Sequence, residues 1–145
     1  MIRTLIVGGD YAGGTLAVRL KEVDDAVAYL DSDPAVVSLA AEAGVTAHET
    51  DITNVRQLRD LGVTGVETVV AATDEDSVNL LVAQLMRTAF DAERVVARVN
   101  DPRNCEPFED AGIETIDAAN ALASELQTAL EPRERRRPRR LDNRA

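Results

Sequence analysis

The chain has almost none of the residues on which enzymes and metal sites are usually built. Its 145 residues include one cysteine, Cys105, one histidine, His48, one lysine, Lys21, and no tryptophan. A lone cysteine excludes an internal disulfide, which fits a reducing cytoplasm. A lone histidine at the end of a short strand, with no cysteine beside it in sequence, excludes a zinc constellation of the usual spacing. No G-x-S-x-G elbow is present, and neither Tyr11 nor Tyr29 is followed by a lysine four residues on. No run approaches the ~20 apolar residues of a membrane span. No charged segment followed by an apolar one opens the chain, so no signal peptide is expected. Aromatics make up 3%, which leaves Val, Leu, Ile and Ala to fill the core.

Charge is abundant and of one dominant sign. There are 26 carboxylates against 16 cationic side chains, and 15 of the cations are arginine. An acidic, lysine-poor composition suits a protein working in high salt, where screening relieves self-repulsion. The basic charge is concentrated at one end: residues 131–145 hold seven arginines against Glu131, Glu134 and Asp142. A basic nucleic-acid-binding surface on the body of the domain is therefore excluded.

The apolar pattern alternates short runs with helical stripes. RTLIVG (3–8), AVAYLD (26–31), Val45–His48, TVVAAT (68–73), RVVARV (94–99) and IETI (113–116) read as strands. Between them lie helical stretches over 13–22, from Pro34 to about Ala43, over Val55–Leu61 with Thr53 as the expected cap, from Val78 to Met86, and from Pro102 to Gly112. Asp33-Pro34 and Asp101-Pro102 are cap-plus-proline signals. A last helix is expected over Ala118–Leu130. Leu122, Leu126 and Leu130 form a face able to pack on the domain's own sheet, and neighbouring alanines widen it toward a homodimer contact. Six strands alternating with helices predict an α/β, Rossmann-type, doubly wound parallel sheet of order 3-2-1-4-5-6 with helices on both faces. The domain is expected to end near residue 130, and 131–145 to be an Arg-rich disordered tail or linker.

Gly8-Gly9-Asp10-Tyr11-Ala12-Gly13 closes the first strand. It matches the dinucleotide turn G-x-G-x-x-G at its first and third glycines, with Asp10 replacing the second. The first glycine permits the tight turn, and the third lets the helix pack close to the strand. The second normally lets backbone amides approach a pyrophosphate, and an aspartate there brings a side chain and a negative charge. Asp31 follows the second strand, where a carboxylate accepts from ribose hydroxyls. A 2′-phosphate would be repelled there, which favours NAD or an adenosine nucleotide over NADP.

The segments VGGDYAG, AYLDSDP, ETDIT, VVAATDEDSVN and VVARVNDP together resemble the RCK/KTN domain, also called TrkA-N, over about residues 3–130. The resemblance implies a regulatory domain of potassium transporters and channels that binds NAD(H) or ATP/ADP; no metal is expected, on the ground of the lone histidine and cysteine. It implies a dimer or higher ring that gates a potassium-transporting membrane subunit from the cytoplasm. It places Asp31 with Ser32 on the ribose, and Asp51 with Ile52 near the adenine. Ala72 and Thr73 would line the phosphate cleft, Asp76 and Asn79 would form a polar pair at a helix start, and Arg98 would face a phosphate. Asp10 departs from the family pattern, and Thr50 stands where a glycine is usual. Each of these has a purely structural alternative: Thr73 and Asp76 as a helix cap, Asn79 satisfying a backbone group, Arg98 paired with a carboxylate, Tyr11 as packing or rim. A second expectation is an N-terminal domain of a larger phosphoesterase-type enzyme, and a third is a degenerate fold that has lost its ligand. By either of the first two readings this stretch carries no catalytic residues of its own.

Overall fold

The computed structural model describes residues 2–24 and 26–132; the expected Arg-rich tail lies, apart from Glu131 and Pro132, outside the described residues. Six strands, β1 (Thr4–Val7), β2 (Val27–Asp31), β3 (Thr46–Glu49), β4 (Thr68–Ala71), β5 (Arg94–Val99) and β6 (Glu114–Asp117), form one sheet in the order β3-β2-β1-β4-β5-β6. Every pairing is parallel, with Val7 opposite both Leu30 and Ala71. The sheet is the expected Rossmann-type one. Its direction of winding reverses between β1 and β4, so the loops after these two strands diverge and leave a crevice.

Helices α1 (Asp10–Lys21), α2 (Pro34–Glu42), α3 (Val55–Asp60), α4 (Asp76–Thr88), α5 (Cys105–Asp110) and α6 (Ala118–Leu130) connect or follow the strands. Strand side chains alternate between faces, and each face has its own core. Leu5, Val7, Leu30, Val69, Ala71, Val95 and Ala97 meet Leu58, Val82, Met86, Phe90 and Phe108 on one side, where Cys105 packs at the margin. Ile6, Val27 and Tyr29 meet Ala17 of α1 and Val36 and Ala40 of α2 on the other. Burial on both faces explains the near-continuous apolar strands of the sequence.

Local chemistry sets most of the boundaries. Asp33 caps α2 by accepting from the N–H of Ala35, and Asp101 accepts from that of Arg103 at the start of a 3-10 turn (Pro102–Asn104) that leads into α5. The cap of α3 is Asn54, not Thr53: the Asn54 side chain accepts from Gln57 N–H, while the Thr53 hydroxyl donates to Asp51. α1 begins three residues earlier than its apolar stripe suggests, because the glycine turn leads straight into it. In α4 the buried positions are Asn79, Val82, Ala83 and Met86, and Leu81 is exposed.

The last helix departs most from expectation. Asp117 caps α6 by accepting from Asn120 N–H, yet no residue of α6 is buried. Leu122, Leu126 and Leu130 are 61%, 56% and 85% exposed, so the leucine face is not laid on the chain's own sheet. The sheet face that a returning helix would cover stays partly open: Val70 and Val96, paired across β4 and β5, are half-buried, and Ile116 on β6 is exposed.

Candidate functional site

The glycine turn owes its path to two close approaches. A Cβ on Gly13 would collide with the carbonyl oxygen of Gly8, and one on Gly8 with the Thr73 side chain. At Gly13, where backbone packs on backbone, glycine alone fits; at Gly8 the positive φ of 75° and the Thr73 methyl together favour it. Gly8 and Gly9 have φ of 75° and 95°, and Asp10 follows with φ of 46°. The substituted second position thus keeps the left-handed backbone that glycine favours, and Asp is one of the few side chains that tolerate it.

Asp31 ends β2 directly beneath this turn and is buried. Its Oδ2 accepts from the N–H of Asp10 at 3.1 Å and from the Tyr29 hydroxyl at 2.5 Å; its Oδ1 accepts from Asp33 N–H at 3.0 Å. Tyr29 is fully buried, and burial pushes its phenol far above the ordinary range, reinforced by the Asp31 carboxylate, so it stays a donor. Asp31 therefore holds the turn, and Oδ1 keeps acceptor capacity for an outside hydroxyl. The first-turn amides of a helix lack intrahelical acceptors. Asp31 takes that of Asp10, while Tyr11 and Ala12, also expected at the site, are not among the residues that line the cleft above the turn.

A cleft of about 270 Å³ opens above the turn, lined by Gly8, Gly9, Asp10, Asp31, Ser32, Ile52, Thr53, Thr73, Asp74, Glu75 and Val78. It joins the ends of β1, β2 and β4 at the reversal of the sheet. Seven of the residues expected at the site meet here: Gly8, Gly9, Asp10, Asp31, Ser32, Ile52 and Thr73. Gly13 and Ala72 stand behind the turn and do not line it. Tyr11 points elsewhere: it is 68% exposed and borders a separate groove between α1 and α2 with Val18, Val36 and Leu39.

The remaining expected residues are tied up in internal bonds. The buried Asn79 side chain accepts from the N–H and hydroxyl of Thr73 and donates to the carbonyls of Thr73 and Arg98, which pins β4 to β5. Asp76 accepts from the N–H groups of Asn100 (2.6 Å) and Asp101 (2.9 Å) and from the side chains of Asn100 and Asn104. Burial pushes its carboxyl up, but these four bonds together outweigh burial and hold it below the ordinary range. The Arg98 guanidinium donates to Asn100 Oδ1 and the Ala72 carbonyl. Asp51 accepts from Thr53, which lowers its pKa, and lies outside the cleft lining. Thr53, Asp74, Glu75 and Val78 line the cleft without having been anticipated. The acidic pair was legible only as part of the T-D-E-D run, whose orientation depends on where α4 starts. Among the described residues no group of three or more His, Cys, Asp or Glu is placed to hold a metal.

A six-stranded parallel sheet with a glycine turn and an acidic residue at the end of the neighbouring strand defines a Rossmann-type domain. Residues 4–119 match the TrkA-N domain, and the chain belongs to that family. It is 30% identical over 131 residues to the Trk system potassium uptake protein TrkA of Mycobacterium tuberculosis, covering 89% of this chain and 60% of that protein. It is 29% identical over 124 residues to a TrkA homolog of Methanothermobacter thermautotrophicus, covering 83% of this chain and 56% of that protein. The chain thus spans about three fifths of these relatives. The fold is also that of the NAD(P)-binding domain of an exopolyphosphatase-related protein from Archaeoglobus fulgidus: TM-score 0.76 and 24% identity, over 90% of this chain and 98% of that one. The GsuK RCK domain superposes with a TM-score of 0.72 at 21% identity, over 92% of this chain and 29% of that one.

Proposed function

We propose that this chain is a ligand-sensing regulatory domain of a potassium-transport system. It binds NAD(H) or an adenine nucleotide (ATP or ADP) in the cleft above the glycine turn and passes the bound state on through a homodimer or larger ring. It works in the cytoplasm, bound to a potassium-transporting membrane subunit, and it is not itself catalytic. The observation that carries the reading is the meeting of Gly8–Asp10 and Asp31 on one cleft at the reversal point of the sheet, the place where such sheets take ligands. Asp31 would take the ribose through Oδ1, with the phosphates over the glycine turn. The chain's relatives at about 30% identity carry names of potassium uptake proteins, whereas its likeness to the phosphatase-related protein is one of fold; transport regulation is therefore preferred over a phosphoesterase role. The exposed leucines of α6 and the open face at Val70, Val96 and Ile116 support self-association.

Titration calorimetry with NAD+, NADH, ADP and ATP tests the nucleotide part. Saturable binding of at least one, lost on replacing Asp31 by Ala, is the expected result. Heats indistinguishable from dilution for all four would leave a fold without its ligand.

A further inference from the structure

The cleft is lined by charge of one sign. Asp10, Asp31, Asp74 and Glu75 face it, and among the described residues no lysine, arginine or histidine does. Among the described residues none of the four is ion-paired. The arginine that the sequence offers as a phosphate partner, Arg98, is bonded to Asn100 and to the Ala72 carbonyl and does not line the cleft. The carboxylates also act on one another: the Asp10 carboxyl is raised, first by burial and then by Asp31, Asp33 and Asp74. In addition, Asp31 already occupies the turn amide of Asp10.

A phosphate entering this cleft meets a few amide dipoles and several fixed negative charges. The repulsion grows with the charge of the ligand and with the Debye length, which is about 10 Å at 0.1 M salt and about 3 Å at 1 M. At low salt all four carboxylates act on the ligand together; at high salt only the nearest do. Adenosine is uncharged, NAD+ carries about one net negative charge, NADH about two, ADP about three and ATP about four near neutrality. We propose that the cleft selects among adenosine ligands for low negative charge, taking NAD+ ahead of NADH, ADP and ATP, and that its affinity for the anionic ligands rises with salt. This rests on the reading of the cleft as an adenine-nucleotide site. The salt slope is opposite to that of a cation-lined phosphate site, where added salt weakens binding.

Calorimetry on the full chain tests the proposal with adenosine, NAD+, NADH, ADP and ATP in EDTA at 0.1 M and 2 M KCl. Circular dichroism checks the fold at each salt, and if the chain unfolds at 0.1 M the lower arm moves to the lowest salt at which it is folded. At low salt NAD+ should bind about tenfold or more tighter than ATP. The gap should narrow at 2 M, and also on adding Mg2+ to the ATP arm. The double substitution Asp74→Asn, Glu75→Gln should narrow it at low salt. ATP binding tightest at low salt, or affinities that fall with salt, would overturn the selection while leaving the nucleotide reading intact. Failure of all five ligands to bind at either salt would overturn that reading and the selection with it.

Discussion

The carboxylate of Asp31 accepts from the backbone N–H of Asp10, so that the end of one strand props the turn that leaves its neighbour. The same carboxylate also takes the Tyr29 hydroxyl and the Asp33 amide, so its removal orphans two backbone N–H groups and leaves the Tyr29 hydroxyl only the Asp10 carbonyl. Asp31→Ala should cost roughly 1–3 kcal/mol of stability and weaken adenine-nucleotide binding by a further ~1–3 kcal/mol. Denaturant titration and calorimetry read the two effects separately. A folded variant with unchanged nucleotide affinity would remove Asp31 from the site.

Asp10 is raised by burial and by the carboxylates around it. A carboxyl raised in the folded state binds protons more readily there than in the unfolded chain. Its effect is therefore to lower stability as pH climbs from the ordinary carboxylate range through the raised value. Asp10→Asn should be more stable than the parent at pH 7 and no more stable at pH 3, as read by thermal unfolding at both values. A gain of the same size at both pH values would show that the side chain acts through shape and not charge.

Asp76 works in the opposite sense. Its lowered pKa gives a contribution that is full above the ordinary carboxylate range and is lost as pH falls through the lowered value. Asp76→Ala leaves two backbone amides and two side-chain amides without their acceptor and should cost about 2–4 kcal/mol. Its stability should also fall less steeply between neutral and acid pH than the parent's. Parallel acid limbs in the two proteins would contradict the assignment.

Leu122, Leu126 and Leu130 repeat every four residues on a helix none of whose residues is buried. In high salt the full chain should sediment as a dimer at tens of micromolar. Replacing Leu122 and Leu126 by Asp should yield a monomer whose circular dichroism matches the parent's, because these side chains support no core. A monomeric parent would leave the leucine face unexplained and remove the simplest route by which a bound nucleotide could act on a partner.

The sheet was legible because its signals are redundant. Four of the six apolar runs are closed by a glycine or a cap, at Gly8, Asp33, Asp101 and Asp117, and the Asp-Pro pairs fix two of the turns. The two sides of the cleft at Gly8 and Asp31 were legible for the same reason: both close a strand. What sequence left open was direction. Asp74, Glu75, Asp76 and Asn79 lie within six residues, and the start of α4 divides them, sending the first two to the cleft and the last two into the joint between β4 and β5. The caps Thr53 and Asn54 were indistinguishable because both are good caps, and only the backbone decides which precedes the helix. The leucine face of α6 signalled a buried surface but could not say whose.

The two sides of the cleft differ in how they are held, and this has a mechanical consequence. The wall at Thr73 and α4 is bolted to β5 through Asn79, Asp76 and Asn100 by a dense mesh of bonds. The opposite wall is a glycine-rich turn held by fewer side chains, the Asp31 carboxylate on the Asp10 N–H and the Tyr29 hydroxyl shared between Asp31 and the Asp10 carbonyl. A ligand forced between them presses on an anvil from the side of a spring. A ligand that pushed the walls apart would be expected to shift the less bonded turn, and α1 behind it, before α4, so α1 is the element whose movement would report that the cleft is filled.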